Sequence, residues 1–139
     1  MRRWKLLLIP IVGFLVTIFV LSIGFGEEDF IKKGGDKGIS FLSGGAGLRE
    51  REILNEMGKD YLLKMVFSNK MGEFLADVVM KILDQDENTI LITVSNGPWL
   101  FVDLPAGIYH LEASVWGGRK RISQVRVEGG SQKVISVQW

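Results

Sequence analysis

Few side chains in this chain have the chemistry that catalysis or metal binding requires. His110 is the only histidine, and cysteine is absent. A nucleophile needs a general base beside it, and a zinc site needs several nitrogen or sulfur ligands. One imidazole supplies neither set. The sequence therefore predicts no catalytic residue, no metal site and no cofactor, and we expect no enzymatic activity.

Two short stretches have some features of ligand-binding loops. Residues 43–47, Ser-Gly-Gly-Ala-Gly, precede a predicted helix, where an anion could bind, but they lack the Lys-Ser/Thr ending of a phosphate loop. Asp84-x-Asp86-x-Asn88 resembles the start of a calcium loop without its following glycine and its later bidentate glutamate. A polar hairpin turn is the better interpretation of residues 84–88.

Basic and aromatic residues cluster around a glycine pair near the C-terminus. The candidate patch consists of His110, Trp116, Arg119, Lys120 and Arg121. The alternation of its strand places His110 on the outer, exposed face. The cluster predicts a surface that contacts an anionic lipid, a glycan or a partner protein. The alternative is protection of a sheet edge, because charged side chains block edge-to-edge aggregation.

The first 26 residues determine where the chain is expected to lie. Arg2, Arg3 and Lys5 precede an uncharged apolar run from Leu6 to Phe25, which has about the length that spans a bilayer as a helix. The basic start predicts that the rest of the chain is exported. Residues 1–26 are either a signal anchor or a cleaved signal peptide, whose apolar core is usually shorter. The remainder is expected on the periplasmic side of the bacterial cell envelope, anchored to the inner membrane or released into the periplasm.

The charge of the exported part excludes one class of partner. Without the three amino-terminal cations, 14 basic and 16 acidic residues remain, a balance without the basic footprint that nucleic acid requires. The absence of cysteine excludes a disulfide framework. The expected partners are an unknown envelope protein or surface component, and the membrane through residues 1–26.

Two segments connect the apolar run to the rest of the chain. Residues 27–47 are rich in glycine and charge and predict a flexible linker. The alternative is an ordered arm in which Ile39, Phe41 and Leu42 add a short strand or pack onto the core. Residues 48–60 have the apolar spacing of a short amphipathic helix, and Gly58 is well placed to end it.

Residues 61–139 change to period-two alternation with turn residues at short intervals. This pattern predicts seven short strands in an antiparallel β-sandwich. Ile90, Ile92 and Val94 share one face of their strand, with threonines on the other. Trp99 and Phe101 are expected to fill the space between the sheets, and Tyr109 to face the core with its hydroxyl bonded to the backbone. The terminal Trp139 is expected to seal the core.

Residues 72–127 resemble the carboxypeptidase regulatory-like domains. The resemblance rests on Phe74-Leu75-Ala76-Asp77-Val78, on Asn96-Gly97, on Trp99 and Phe101, and on Leu104-Pro105-Ala106-Gly107-Ile108-Tyr109. It implies a mainly β protein with a seven-stranded, transthyretin-like (prealbumin-like) sandwich, here preceded by one short helix and a hydrophobic segment. Residues 43–139 are also similar to small exported bacterial proteins without an assigned activity. The metallopeptidase domain of the family is lacking, so no peptidase activity is implied.

The sequence therefore predicts a non-enzymatic binding or scaffolding module of the cell envelope. The alternative is a small-ligand-binding protein of the periplasm, either a transthyretin-like enzyme or a carrier. A deep polar cavity around His110 would favour the alternative. A flat patch around Trp116 and residues 119–121 would favour the binding module.

Overall fold

The computed structural model describes residues 31–139. The elements of this part are β1 (Lys32–Asp36), β2 (Ile39–Gly44), α1 (Leu48–Met57), β3 (Leu63–Ser68), β4 (Val79–Leu83), β5 (Thr89–Val94), β6 (Trp99–Val102), β7 (Gly107–Val115), β8 (Gly118–Val127) and β9 (Lys133–Gln138). The segment 1–26 and the start of the predicted linker lie outside the described residues. Between residues 31 and 139, no helix is long and apolar enough to cross a membrane.

The strands form two sheets, with the orders β1-β2-β6-β3-β9 and β5-β4-β7-β8. Every neighbouring pair is antiparallel except β3 and β9, which run parallel from Leu63 beside Lys133 to Ser68 beside Gln138. The described chain is therefore mainly β, but it has nine strands rather than seven and is not wholly antiparallel. The two additional strands precede the helix. β3 to β9 occupy the range in which seven strands are predicted.

A single core fills the space between the two sheets. The first sheet contributes Met65, Phe67 and Leu100, and the second contributes Met80 and Leu111. All of these side chains are almost completely buried. Strand alternation produces this arrangement, because every second residue of each strand points to the same face.

Residues 32–44 form a paired β-hairpin, which agrees with the alternative of an ordered arm and not with a flexible linker. Ile39 and Phe41 belong to the core between the sheets. The ring of Phe41 lies directly across Gly34, where an added Cβ would be 2.7 Å from Cε1 of the ring. The glycines of this segment thus permit close packing of the hairpin, and the apolar residues between them supply the burial that orders it.

A second apolar cluster lies on the other face of the first sheet, beneath α1. It contains Leu42, Leu54 and Phe101, with Trp99 packed against it. The prediction that Trp99 and Phe101 fill the space between the sheets is therefore wrong. Leu100, from the same strand, points into that space instead. Both faces of β6 are covered, so apolarity alone does not distinguish its two faces.

The local turn chemistry follows the sequence more closely. The backbone N–H of Gly58 donates to the carbonyl oxygen of Leu54 and ends α1. The hydroxyl of the buried Tyr109 donates to the carbonyl oxygen of Pro105 at 2.6 Å, as predicted. Trp139 packs against the core with its ring 6.2 Å from that of Phe67. Because each of these features depends on neighbouring residues or on strand parity, sequence is sufficient to predict it.

Candidate partner-binding surface

Two cross-strand rows of side chains lie on the outer face of the sheet β5-β4-β7-β8. In strand order from β5 to β8, the first row consists of Ile92, Lys81, Glu112 and Arg121, and the second of Val94, Val79, Ser114 and Arg119. Each row begins with an apolar residue on β5 and ends with an arginine on β8. The outer face therefore changes from apolar at one edge of the sheet to basic at the other.

A carboxylate organises the basic half of this face. Glu112 accepts bonds from Arg119 Nη2 at 2.6 Å and from Arg121 Nη1 at 2.8 Å. The other terminal nitrogen of Arg121 donates to Glu87 Oε1 at 2.6 Å. Partial burial opposes ionisation of Glu112, but the bonds from both arginines bring its pKa below the usual value. The bond from Arg121 likewise lowers the pKa of Glu87. Both carboxylates are therefore held in the charged form.

The prediction that His110 is exposed is wrong. Only 5% of the residue is accessible. The register of β7 and β8 shifts at this point, and the N–H of Gln124 donates to His110 Nδ1 at 3.4 Å. The β4–β5 turn brings Glu87 Oε1 to 3.6 Å from Nε2. A β-bulge and an overlying turn thus bury the ring, which strand alternation alone does not predict.

The structure separates the other members of the predicted patch. Arg119 and Arg121 lie on the outer face, as described. Lys120 pairs with Ala113, a core residue, and so belongs to the opposite face. It borders an open cavity of about 440 Å³ at the end of the molecule, together with the fully exposed Trp116. The five predicted residues therefore form two surfaces, one on the sheet face and one at the end of the sheets.

The apolar half of the outer face is the feature that sequence reasoning missed. Ile92 is 62% exposed, Val79 43% and Val94 41%. Leu91 and Thr93, from the other face of β5, are buried instead. The stretch TILITV is uncharged and has β-branched residues on both faces, so its sequence does not indicate which set faces the core. Its lack of charge is the signal that could have drawn attention to it, because exposed edge strands usually carry charge.

Strand β5 is also an edge of its sheet. Ser95, directly after it, accepts from the N–H of Asp77 and donates to the carbonyl oxygen of Val78, so its backbone faces the β4 side. By alternation, the backbone groups of Ile92 and Val94 point away from β4. Lys32 Nζ donates to the outward carbonyl oxygen of Val94 at 3.0 Å. The rest of this edge pairs with no other strand of the described chain.

The two loop stretches considered above are occupied by their own side chains. The N–H of Gly45 donates to Glu50 Oε1 at 2.8 Å, so a carboxylate of the chain already fills the position that an anion would take. Asp84 Oδ1 accepts from the N–H groups of Asp86 and Asn88, each at 2.9 Å, and closes the hairpin between β4 and β5. Within residues 31–139, no three potential metal ligands cluster together.

Comparison with protein-family models and with curated proteins finds no match to this chain.

Proposed function

We propose that this chain is a non-enzymatic binding or scaffolding module of the bacterial cell envelope. Residues 1–26 hold it at the membrane, and the described domain lies on the periplasmic side. The basic start and the apolar run from Leu6 to Phe25 support this location. The proposal includes the resemblance to carboxypeptidase regulatory-like domains. In that reading β3 to β9 form the prealbumin-like sandwich, and the first hairpin and α1 are additions to it.

One observation supports the binding function. The uncharged edge strand β5 belongs to the exposed apolar half of the outer face. The outward N–H and carbonyl groups of Ile92 are available to the main chain of an added strand. Ile92, Val94 and Val79 supply apolar contacts for alternate side chains of that strand. The partner that fits is an extended segment of an envelope protein with apolar residues at every second position.

A small-ligand carrier or enzyme has less support. It needs a concave site with convergent polar groups. Four open cavities of the described chain are lined by residues other than His110. The imidazole of His110 is instead covered by a turn and faces Glu87.

Site-specific crosslinking in the envelope tests the binding edge. A photoreactive amino acid at Thr89, on β5, should crosslink a partner in membranes that contain the full-length chain. The exchange Ile92→Asp should abolish that product, because it places a charge in the apolar contact. Val134→Asp makes a closely related change at an exposed position on β9, the edge of the other sheet, and should leave the product unchanged. Equal loss in both variants would contradict a binding site on β5.

Fractionation and intact mass test the location. A full-length mass in the membrane fraction supports the anchor. A mass shortened by about 24 to 26 residues in the soluble exported fraction would replace the tether with a cleaved signal peptide.

A further inference from the structure

One end of the sandwich carries two large apolar side chains that no other part of the described chain covers. Trp116 lies on the β7–β8 turn and is fully exposed, and Met71, in the loop after β3, is 85% exposed. Lys70, beside Met71, borders the same open cavity as Trp116. The two apolar residues therefore project from neighbouring loops. An isolated exposed apolar residue needs no explanation, but two at the tips of adjacent loops indicate a contact surface.

The charges that line the cavity beside Trp116 have one sign, while the acidic Glu73 lies in the loop of Met71. The cavity beside Trp116 is lined by the cations Lys70, Arg119 and Lys120, and its lining includes no acidic side chain. Arg119 is partly neutralised by Glu112, but about two thirds of its side chain remains accessible. An amphipathic aromatic residue with lysine and arginine around it is the pattern of side chains that lie at a lipid headgroup layer. Cations near an anionic leaflet each strengthen the association.

The amino-terminal end of the described domain lies at the same end of the molecule. Lys32, at the start of β1, pairs with Ser43, at the end of β2. The adjacent Gly44 pairs with Trp99, which in turn pairs with Val66 near the end of β3. Lys70 lies two positions after the end of that strand. The described chain therefore begins at the end that carries Lys70, Met71 and Trp116.

The length of chain before this point limits how far that end can lie from a bilayer. Phe25, the last residue of the apolar run, and Ile31, the first described residue, are six positions apart. At about 3.3 to 3.6 Å per residue, six positions span at most about 22 Å. With residues 6–25 in the membrane, the cationic end stays within roughly that distance of the headgroups, which gives it a high effective concentration at the surface.

We propose that this end of the domain, with Trp116 and Met71 as its tips, docks on the surface of an anionic bilayer. The inference rests on the proposed function for its geometry, because the tether brings this end to the membrane. The sheet face with Ile92 and the β5 edge then remain accessible to a protein partner.

The absence of cysteine allows a direct test with single labels on the full-length chain. Met71→Cys is labelled with an environment-sensitive fluorophore, and the protein is reconstituted in vesicles of phosphatidylcholine alone or of equal parts phosphatidylcholine and phosphatidylglycerol. Ser131→Cys, at the opposite end of the sheets, is the matched control. We expect a blue shift and quenching by brominated lipid at position 71 in the phosphatidylglycerol vesicles, and neither change at position 131.

Charge removal tests the electrostatic part. Lys70→Gln and Lys120→Gln alter two exposed side chains and should leave the fold intact. Each exchange should lower the ratio of docked to undocked protein at phosphatidylglycerol vesicles about fivefold. Both exchanges together should lower it about 25-fold. The label response in phosphatidylcholine alone should not change.

The outcomes separate this proposal from the tether. A chain that floats with the vesicles but gives equal label responses at positions 71 and 131 overturns the docking and leaves the tether standing. A chain that does not float with phosphatidylcholine vesicles overturns the tether. In that case a response at position 71 on added phosphatidylglycerol vesicles still supports the docking surface, and no response overturns it in favour of a protein contact.

Discussion

Replacing Gly97 with alanine tests how closely two backbone segments approach each other beside the first sheet. A Cβ at Gly97 would lie 2.5 Å from the carbonyl carbon of Gly44 and 2.9 Å from its Cα. The facing atoms are main-chain atoms, so no side-chain rotation relieves the contact. Ser43 Oγ also bonds the carbonyl oxygen of Trp99 and the N–H of Asn96, each at 2.9 Å, and holds the two segments together.

The expected cost follows from this geometry. Overpacking a close-packed site typically costs about 1 to 3 kcal/mol. We expect the upper end of that range, about 3 kcal/mol, because hydrogen-bonded segments on either side of Gly97 must separate. For a domain of about 100 residues, that loss lowers Tm by roughly 12 to 24 °C. Urea unfolding of the full-length chain in detergent, followed by near-ultraviolet circular dichroism, measures it.

Gly129→Ala is the matched control. A Cβ at Gly129 would meet no atom within 4 Å, and its φ is outside the positive range. The exchange should be neutral or should stabilise the fold by up to about 1 kcal/mol, because it restricts the unfolded chain. A free energy of unfolding for Gly97→Ala within about 0.5 kcal/mol of the wild-type value is what a neutral surface exchange gives. That result would show that the two backbones do not approach as described.

Three further predictions concern the core and the charged network. Phe41→Ala should lower the free energy of unfolding in urea by about 3 to 5 kcal/mol, since the ring is part of the core. A loss typical of a surface site would contradict the packing of residues 32–44 on the core. Tyr109→Phe should cost about 0.5 to 1.5 kcal/mol through loss of the bond to Pro105, and an unchanged urea midpoint would contradict that bond. Arg121 lowers the pKa of Glu87 and, against partial burial, helps to lower that of Glu112 below the ordinary 4.5. These contacts therefore stabilise the fold above that pH, and the contribution is lost as the pH falls through the lower folded-state pKa values. Arg121→Gln should make stability fall less steeply in that acidic range, and an unaltered pH profile would count against the network.

Local sequence was sufficient for the elements that depend on near neighbours. Gly58 ends α1 and the Asp84 turn joins two strands, because capping and turn closure need only residues a few positions apart. The period-two pattern located the strands from residue 61 onwards for the same reason. For residues 32–44 the sequence left a linker and an ordered arm as alternatives, because the glycines indicate flexibility unless Phe41 has a core to enter.

Only the tertiary structure decided which face of each strand is inside. Alternation defines two faces but does not say what covers them. Trp99 packs in the cluster beneath α1, whereas Ile92 is exposed because no helix of the described chain covers the outer face of its sheet. His110 is buried because a bulge and a turn from distant parts of the chain meet over it. The charges of Arg119 and Arg121 could be predicted from sequence, but their common partner Glu112 depends on strand register. Register is set by the packing of the whole sandwich, since a shift of one residue would exchange every inward side chain for an outward one.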